Sequence, residues 1–225
     1  MSETVVILVT AALAGPWDDA ALTKVDGRES LLRAAEMFVN REGVGRVMLV
    51  VAPAAADEYK RKVGGHLSFM GVRIVTGGEP PFEQLEAARH QIEAETKFVI
   101  VHDAARPAVP YTDLDAIEAA AKRHPAVALA VPAAGPLLSV GGVPGAAKMM
   151  ADRVAQLVTP IAFTREGFDA AVAAGKWPEP IQWIEGSPLN VRCGQASPGL
   201  VKAMIGLLPK PKVKAPTSPF EEAQW

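Results

Sequence analysis

The chain holds one cysteine, Cys193. That excludes an intrachain disulfide and any cysteine metal cluster. It also lacks an excess of either charge: 23 Lys and Arg stand against 25 Asp and Glu, a formal net charge of -2. A near-neutral, slightly acidic chain is not built to bind nucleic acid or an anionic membrane through its overall field. No apolar run approaches the roughly 20 residues that span a bilayer. The first apolar stretch, Val5 to Val9, is short, with Glu3 before it and Asp18 and Asp19 after it, and no basic leader. The expectation is a chain without signal peptide or membrane span, and hence a cytoplasmic one. No internal repeat is visible.

What is present suits one α/β domain. The 225 residues are enough for a full core. Apolar runs at Thr4 to Thr10, Arg46 to Val51, Val72 to Val75, Phe98 to His102 and Val127 to Val131 read as strands. Between them, Arg28 to Asn40, Asp57 to Val63, Phe82 to Ile92 and Thr112 to Ala121 read as helices, with Thr112 as a cap. Strands alternating with helices imply a mostly parallel sheet. The Gly- and Pro-rich stretch from Pro132 to Met150 reads as an arm or hairpin leaving that sheet. Val154 to Val158, Arg165 to Ala174 and Ile181 to Ile184 then read as strand, helix and strand. A last helix runs from Ser197 to Leu208, with Ser197 capping and Pro198 in its first turn. The expected organisation is one domain over 1–208, with the arm at about 132–150, and a mobile Pro- and Lys-containing tail over 209–225.

The informative stretch is Phe98 to Pro107. Four apolar residues, three of them β-branched, run into His102-Asp103-Ala104-Ala105-Arg106-Pro107. Such a run fits a strand buried on both faces. In open α/β sheets ligands sit beyond the carboxyl ends of the strands. An acid there can hold a divalent cation, an Arg can hold an anion, and small residues let a ligand approach. A strand end closed by a polar turn would use the same residue types.

The hexapeptide resembles the signature of the 2-C-methyl-D-erythritol 4-phosphate cytidylyltransferases, nucleotidyltransferases with a glycosyltransferase-A-like fold. The resemblance implies an α/β fold with a mostly parallel mixed sheet flanked by helices, Rossmann-like and of the nucleotide-diphospho-sugar transferase type, with a protruding dimerisation arm. It implies transfer of CMP from CTP to 2-C-methyl-D-erythritol 4-phosphate in isoprenoid precursor synthesis, Mg²⁺ as cofactor, and a homodimer. The family's first loop, Ala-Ala-Gly-x-Gly-x-Arg followed by Pro-Lys-Gln, corresponds here to Ala11-Ala12-Leu13-Ala14-Gly15-Pro16-Trp17 and Thr23-Lys24-Val25. By resemblance Ala11, Ala12 and Gly15 would cradle the triphosphate and Lys24 would neutralise it. The family's first Gly is Leu13 and its Arg is Trp17. Gly77-Gly78 matches the element that holds base and ribose, where the family's Ser has become Gln84, still able to meet a base edge. A turn opening a helix explains the same two glycines.

By resemblance Asp103 would hold the metal, and Ala104 and Arg106 would belong to the binding site, Arg106 ordering the loop or the acceptor. Asp152-Arg153 and Thr159-Pro160 match segments flanking a short strand, with Arg153 a candidate for the acceptor's phosphate. Glu185-Gly186 to Asn190-Val191-Arg192 matches Glu-Gly to Asn-Ile-Lys, the catalytic Lys now being Arg192. The substitutions at Leu13, Trp17, Gln84 and Arg192 leave a second outcome open, a catalytically impaired homologue that binds another phosphorylated ligand or serves as a regulatory partner. A third is a purely structural dimer.

Overall fold

The structure is a computed structural model and describes residues 3–11, 18–132, 137–140, 147–150 and 155–209. Strand β1 (Thr4–Val9) opens the chain. A short 3-10 turn (Ala20–Leu22) leads to a small ladder of β2 (Lys24–Val25) and β3 (Arg28–Glu29). Then follow α1 (Ser30–Val39), β4 (Val44–Val51), α2 (Ala56–Phe69), β5 (Arg73–Thr76), α3 (Pro81–Arg89), β6 (Phe98–Asp103), α4 (Tyr111–Ala121) and β7 (Ala126–Pro132). After the hairpin of β8 (Leu137–Val140) and β9 (Ala147–Met150) come β10 (Ala155–Thr164), α5 (Arg165–Ala174), β11 (Gln182–Glu185) and α6 (Pro198–Leu207).

The main sheet has seven strands in the order β11-β7-β10-β6-β1-β4-β5. β10 runs antiparallel to both neighbours, and every other pairing is parallel. The central strands are apolar on both faces because helices cover both. Val6 and Leu8 of β1 join the core beneath α1, α2 and α4, while Val5, Ile7 and Val9 point to the other side, toward α3 and α5. This is the period of two expected of an extended chain.

From β1 the chain winds outward through β4 to β5, then returns across α3 to lay β6 on the opposite side of β1. The winding direction therefore reverses between β1 and β6, whose last residues, Val9 and Asp103, are register partners. Reversal points of this kind leave a crevice at the carboxyl ends of the strands. The hexapeptide begins there.

Several boundaries differ from the sequence expectation. Arg28 starts no helix; it pairs with Val25 across the β2–β3 ladder. Thr112 is not a cap: α4 starts at Tyr111 after Pro110, with no side chain closing its N-terminus. Helix α2 runs six residues past Val63, through Gly64 and Gly65, because Tyr59, Val63 and Leu67 form one buried stripe. Burial of Leu67 outweighs a glycine penalty of about 1 kcal/mol per residue. β10 continues through Pro160 to Thr164, bulging against β7 between Val158 and Ile161. A bulge admits proline within a strand.

Candidate functional site

The crevice has two walls. One is built at the end of β1. The N–H groups of Thr10 and Ala11 both donate to Gln84 Oε1, at 3.1 and 3.2 Å, and Gln84 Nε2 donates to Thr10 Oγ1 at 3.2 Å. Gln84 is fully buried on α3. Its amide oxygen thus holds the backbone just past β1, which leaves that acceptor engaged by protein rather than free for a base edge. Gly77 and Gly78 bring the β5–α3 loop into close packing. A Cβ on Gly77 would stand 2.8 Å from Val50 Cγ1 and 3.0 Å from Gln84 Cα, and one on Gly78 would overlap the Glu83 side chain. Packing accounts for both glycines.

The other wall is the hexapeptide. His102 is fully buried, and its Nε2–H donates to the Arg106 carbonyl at 2.9 Å. Burial holds its pKa down at about 3, so the ring is neutral. Asp103 Oδ1 accepts from the Ala105 N–H at 2.9 Å. Its own N–H donates to Thr159 Oγ1 at 3.1 Å, which the bulge in β10 brings over β6. Arg106 is buried and donates through one guanidinium nitrogen to the Asn190 carbonyl at 2.7 Å. Asn190 in turn donates to the Thr159 carbonyl at 2.6 Å. The Ala104 N–H donates to the Val9 carbonyl and the Cys193 N–H to that of Ala105. Strand β1, β10 and the segment 190–193 therefore clamp the loop.

The electrostatic centre is Arg192. Its Nε donates to Asp103 Oδ2 at 2.7 Å, and its two terminal nitrogens grip Asp18 in a fork at 2.7 and 2.9 Å. The side chains of Arg192 and Asp103 are only 4% and 2% exposed, whereas that of Asp18 is 42% exposed. Arg106 Nε lies 3.8 Å from Asp103. Burial pushes the Asp103 carboxyl above the ordinary range, opposed by the charge of Arg192, the Ala105 N–H and the charge of Arg106. Burial alone would also raise Asp18, but hydrogen bonds from Arg192 and Ala20 and the charge of Arg192 bring it below the usual range. Arg192 is disfavoured by burial, yet the hydrogen bond to Asp18 and its pairing with Asp103 outweigh that and hold it fully charged.

Of the residues singled out in the sequence, Asp103, Ala104, Arg106, Thr159 and Arg192 converge on one wall, and Ala11, Gln84, Gly77 and Gly78 on the other. Lys24 sits on β2 with its side chain 66% exposed, 3.6 Å from Glu29. Ala12, Leu13, Gly15, Trp17 and Arg153 lie outside the described residues. Sequence reasoning passed over Asp18, read as loop, and Asn190, quoted within its motif but given no role.

Asp103 as placed does not fit a divalent ion. Both of its oxygens are engaged, and a guanidinium lies against one of them. Among the described residues no group of three or more His, Cys, Asp or Glu could hold a metal, and no helix is long and apolar enough to cross a membrane.

Comparison with known proteins agrees with this architecture. Residues 5–195 match the family model described as 2-C-methyl-D-erythritol 4-phosphate cytidylyltransferase. A protein of that description from Streptomyces coelicolor is 34% identical over 123 residues, 53% of this chain and 46% of that one. Another, from Frankia casuarinae, is 29% identical over 155 residues, 68% of this chain and 56% of that one. The matched stretches thus span about half the length of these relatives. Among solved structures, a 4-diphosphocytidyl-2C-methyl-D-erythritol synthase from Anaerococcus prevotii superposes with TM-score 0.70 at 14% identity, covering 90% of this chain and 98% of that one. A 2-C-methyl-D-erythritol 4-phosphate cytidylyltransferase from Thermus thermophilus gives TM-score 0.65 at 21% identity, covering 89% and 98%. At such identities they establish the fold, and the expected mixed, mostly parallel sheet flanked by helices holds.

Proposed function

The chain belongs to the 2-C-methyl-D-erythritol 4-phosphate cytidylyltransferase family, and from that premise we propose that it transfers CMP from CTP to 2-C-methyl-D-erythritol 4-phosphate. The observation that carries this reading is the hexapeptide His102 to Pro107, intact in sequence and clamped at the reversal point of the sheet between β1 and β6. Two buried guanidinium groups stand against Asp103: Arg106, within the hexapeptide, and Arg192.

In the reaction an oxygen of the acceptor phosphate attacks the α-phosphorus of CTP. A new phosphoanhydride bond forms, the bond to the β-phosphate oxygen breaks, and its electron pair leaves with pyrophosphate. Such transfers need positioning and charge neutralisation more than a protein base. In this reading Arg192 and Lys24 serve the phosphates. Ala11, Gly77 and Gly78 shape the nucleotide pocket, Gln84 holds its floor, and Ala104 and Arg106 line it; by resemblance Ala12 and Gly15 would serve the triphosphate. Thr159, and by resemblance Arg153, would serve the acceptor. Nucleotidyltransferases generally work with a divalent cation. Mg²⁺ completes its shell with phosphate oxygens and water, and here the triphosphate rather than Asp103 would hold it. Two copies pair through the β8–β9 hairpin, and the protein works in the cytoplasm.

Calorimetric titration of the folded chain with CTP, ATP, GTP and UTP tests the reading. CTP is expected to bind in preference to the others. No heat with any of the four contradicts it.

A further inference from the structure

We infer that Arg192 is the resident cation of this site: its guanidinium stands between Asp103 and Asp18 where a bridging divalent ion would stand, and polyphosphate binds with no metal on Asp103. The inference deepens the transferase reading and rests on it for the identity of the site.

The geometry carries it. Asp103 Oδ2 and both oxygens of Asp18 lie 2.7 to 2.9 Å from three different nitrogens of one side chain. Two carboxylates thus share a single cation. Two acids, Asp18 and Asp103, meet two guanidinium groups, Arg106 and Arg192, so the cluster has no negative surplus to attract a second cation. Mg²⁺ needs a near-octahedral shell and gives up its waters reluctantly. Asp103, 1% exposed, offers it no room. A guanidinium is permanently charged, more weakly hydrated and planar, which suits a buried pair of carboxylates.

The two ends of the cluster are not equivalent. Asp103 is buried and held also by Ala105. Asp18 is the exposed partner, and it takes the two terminal nitrogens, the fork that matches phosphate oxygens. Asp18 and a phosphate therefore compete for the same edge of Arg192. Asp18 acts as a gate: it satisfies Arg192 in the empty protein and is displaced when the anion arrives.

The test uses the full chain and tripolyphosphate as probe, titrated calorimetrically in excess EDTA and in magnesium chloride. Binding is expected in EDTA, within about threefold of that in magnesium. Asp18→Asn is expected to tighten it about tenfold, the scale of one charge-assisted hydrogen bond released to the ligand. Arg192→Lys, which keeps charge but loses the fork, is expected to weaken it by a similar factor. Mn²⁺ added to the protein alone, followed by its electron paramagnetic resonance signal, is expected to remain free. Four results would each overturn the inference: tripolyphosphate binding that vanishes in EDTA, no binding by the folded chain in either buffer, Asp18→Asn that leaves affinity unchanged or weaker, or Mn²⁺ bound by the wild type and released by Asp103→Asn. Tripolyphosphate that binds in EDTA while CTP does not would defeat the transferase reading and leave the inference standing. CTP that binds only with magnesium on Asp103 would do the reverse.

Discussion

Arg192 and Asp103 show what a single residue contributes when its charge is buried. Removing one partner of a buried pair strands the other, typically at roughly 3–5 kcal/mol. Asp103→Ala is therefore expected to lower stability by about 3 kcal/mol, reduced somewhat because Asp18 still holds Arg192; chemical denaturation reads it. His102 adds a pH dependence. Its folded pKa is about 3 against 6.5 when unfolded, so on acidification the unfolded chain takes the proton first. Stability is full above pH 6.5 and falls as pH drops toward about 3, by roughly 1.4 kcal/mol per unit. Asp103, pushed up by burial, acts in the opposite sense, and Asp18, held down, in the same sense. Denaturation midpoints between about pH 7 and 5 should slope downward in the wild type and flatten in His102→Gln, whose amide keeps a donor for the Arg106 carbonyl. An unchanged slope would remove His102 from the account. Asp103, Arg106 and Arg192 were legible because a motif names them. Asp18 was not, since it lies 174 positions from Arg192 and only the closed fold brings them together.

At the scale of elements, apolar runs and caps carried most of the information. α5 spans Arg165–Ala174, the bounds its sequence pattern suggests. α6 opens as expected, with the Leu200 N–H donating to Ser197 Oγ at 3.3 Å and Pro198 in its first turn. The β2–β3 ladder escaped because two-residue strands have no period to detect. The sequence pattern for α2 covers Asp57 to Val63, whereas tertiary burial of Leu67 carries the helix on to Phe69. Two glycine substitutions separate these influences. Gly65 meets nothing within 4 Å of an added Cβ, so Gly65→Ala is expected to stabilise the chain by about 0.5–1 kcal/mol. Gly77→Ala would press on Val50 and on the backbone of Gln84 and is expected to cost about 1–3 kcal/mol. It would also disturb the Thr10 and Ala11 anchor, so weaker nucleotide binding should accompany its lower thermal midpoint.

At the scale of the molecule, the sheet order decides where chemistry can occur. Alternation of strand and helix announced a parallel sheet, but the order of strands, and so the reversal between β1 and β6, depends on long-range pairing that no local pattern encodes. The antiparallel β10 follows from the β8–β9 excursion, which returns the chain between β6 and β7. If the hairpin pairs two copies, light scattering at micromolar concentration should give twice the chain mass, and replacing 137–150 with a short Gly-Ser linker should give a monomer. The most direct measurement for the whole account is turnover: the chain incubated with CTP, magnesium and 2-C-methyl-D-erythritol 4-phosphate, with pyrophosphate release and the cytidine diphosphate ester followed together. Both products are expected in equal amounts, and Arg192→Ala should lose them by at least a hundredfold, as removal of a preorganised cation at developing charge does. No release of either product by a folded chain that binds CTP would contradict the assignment of transfer to this site.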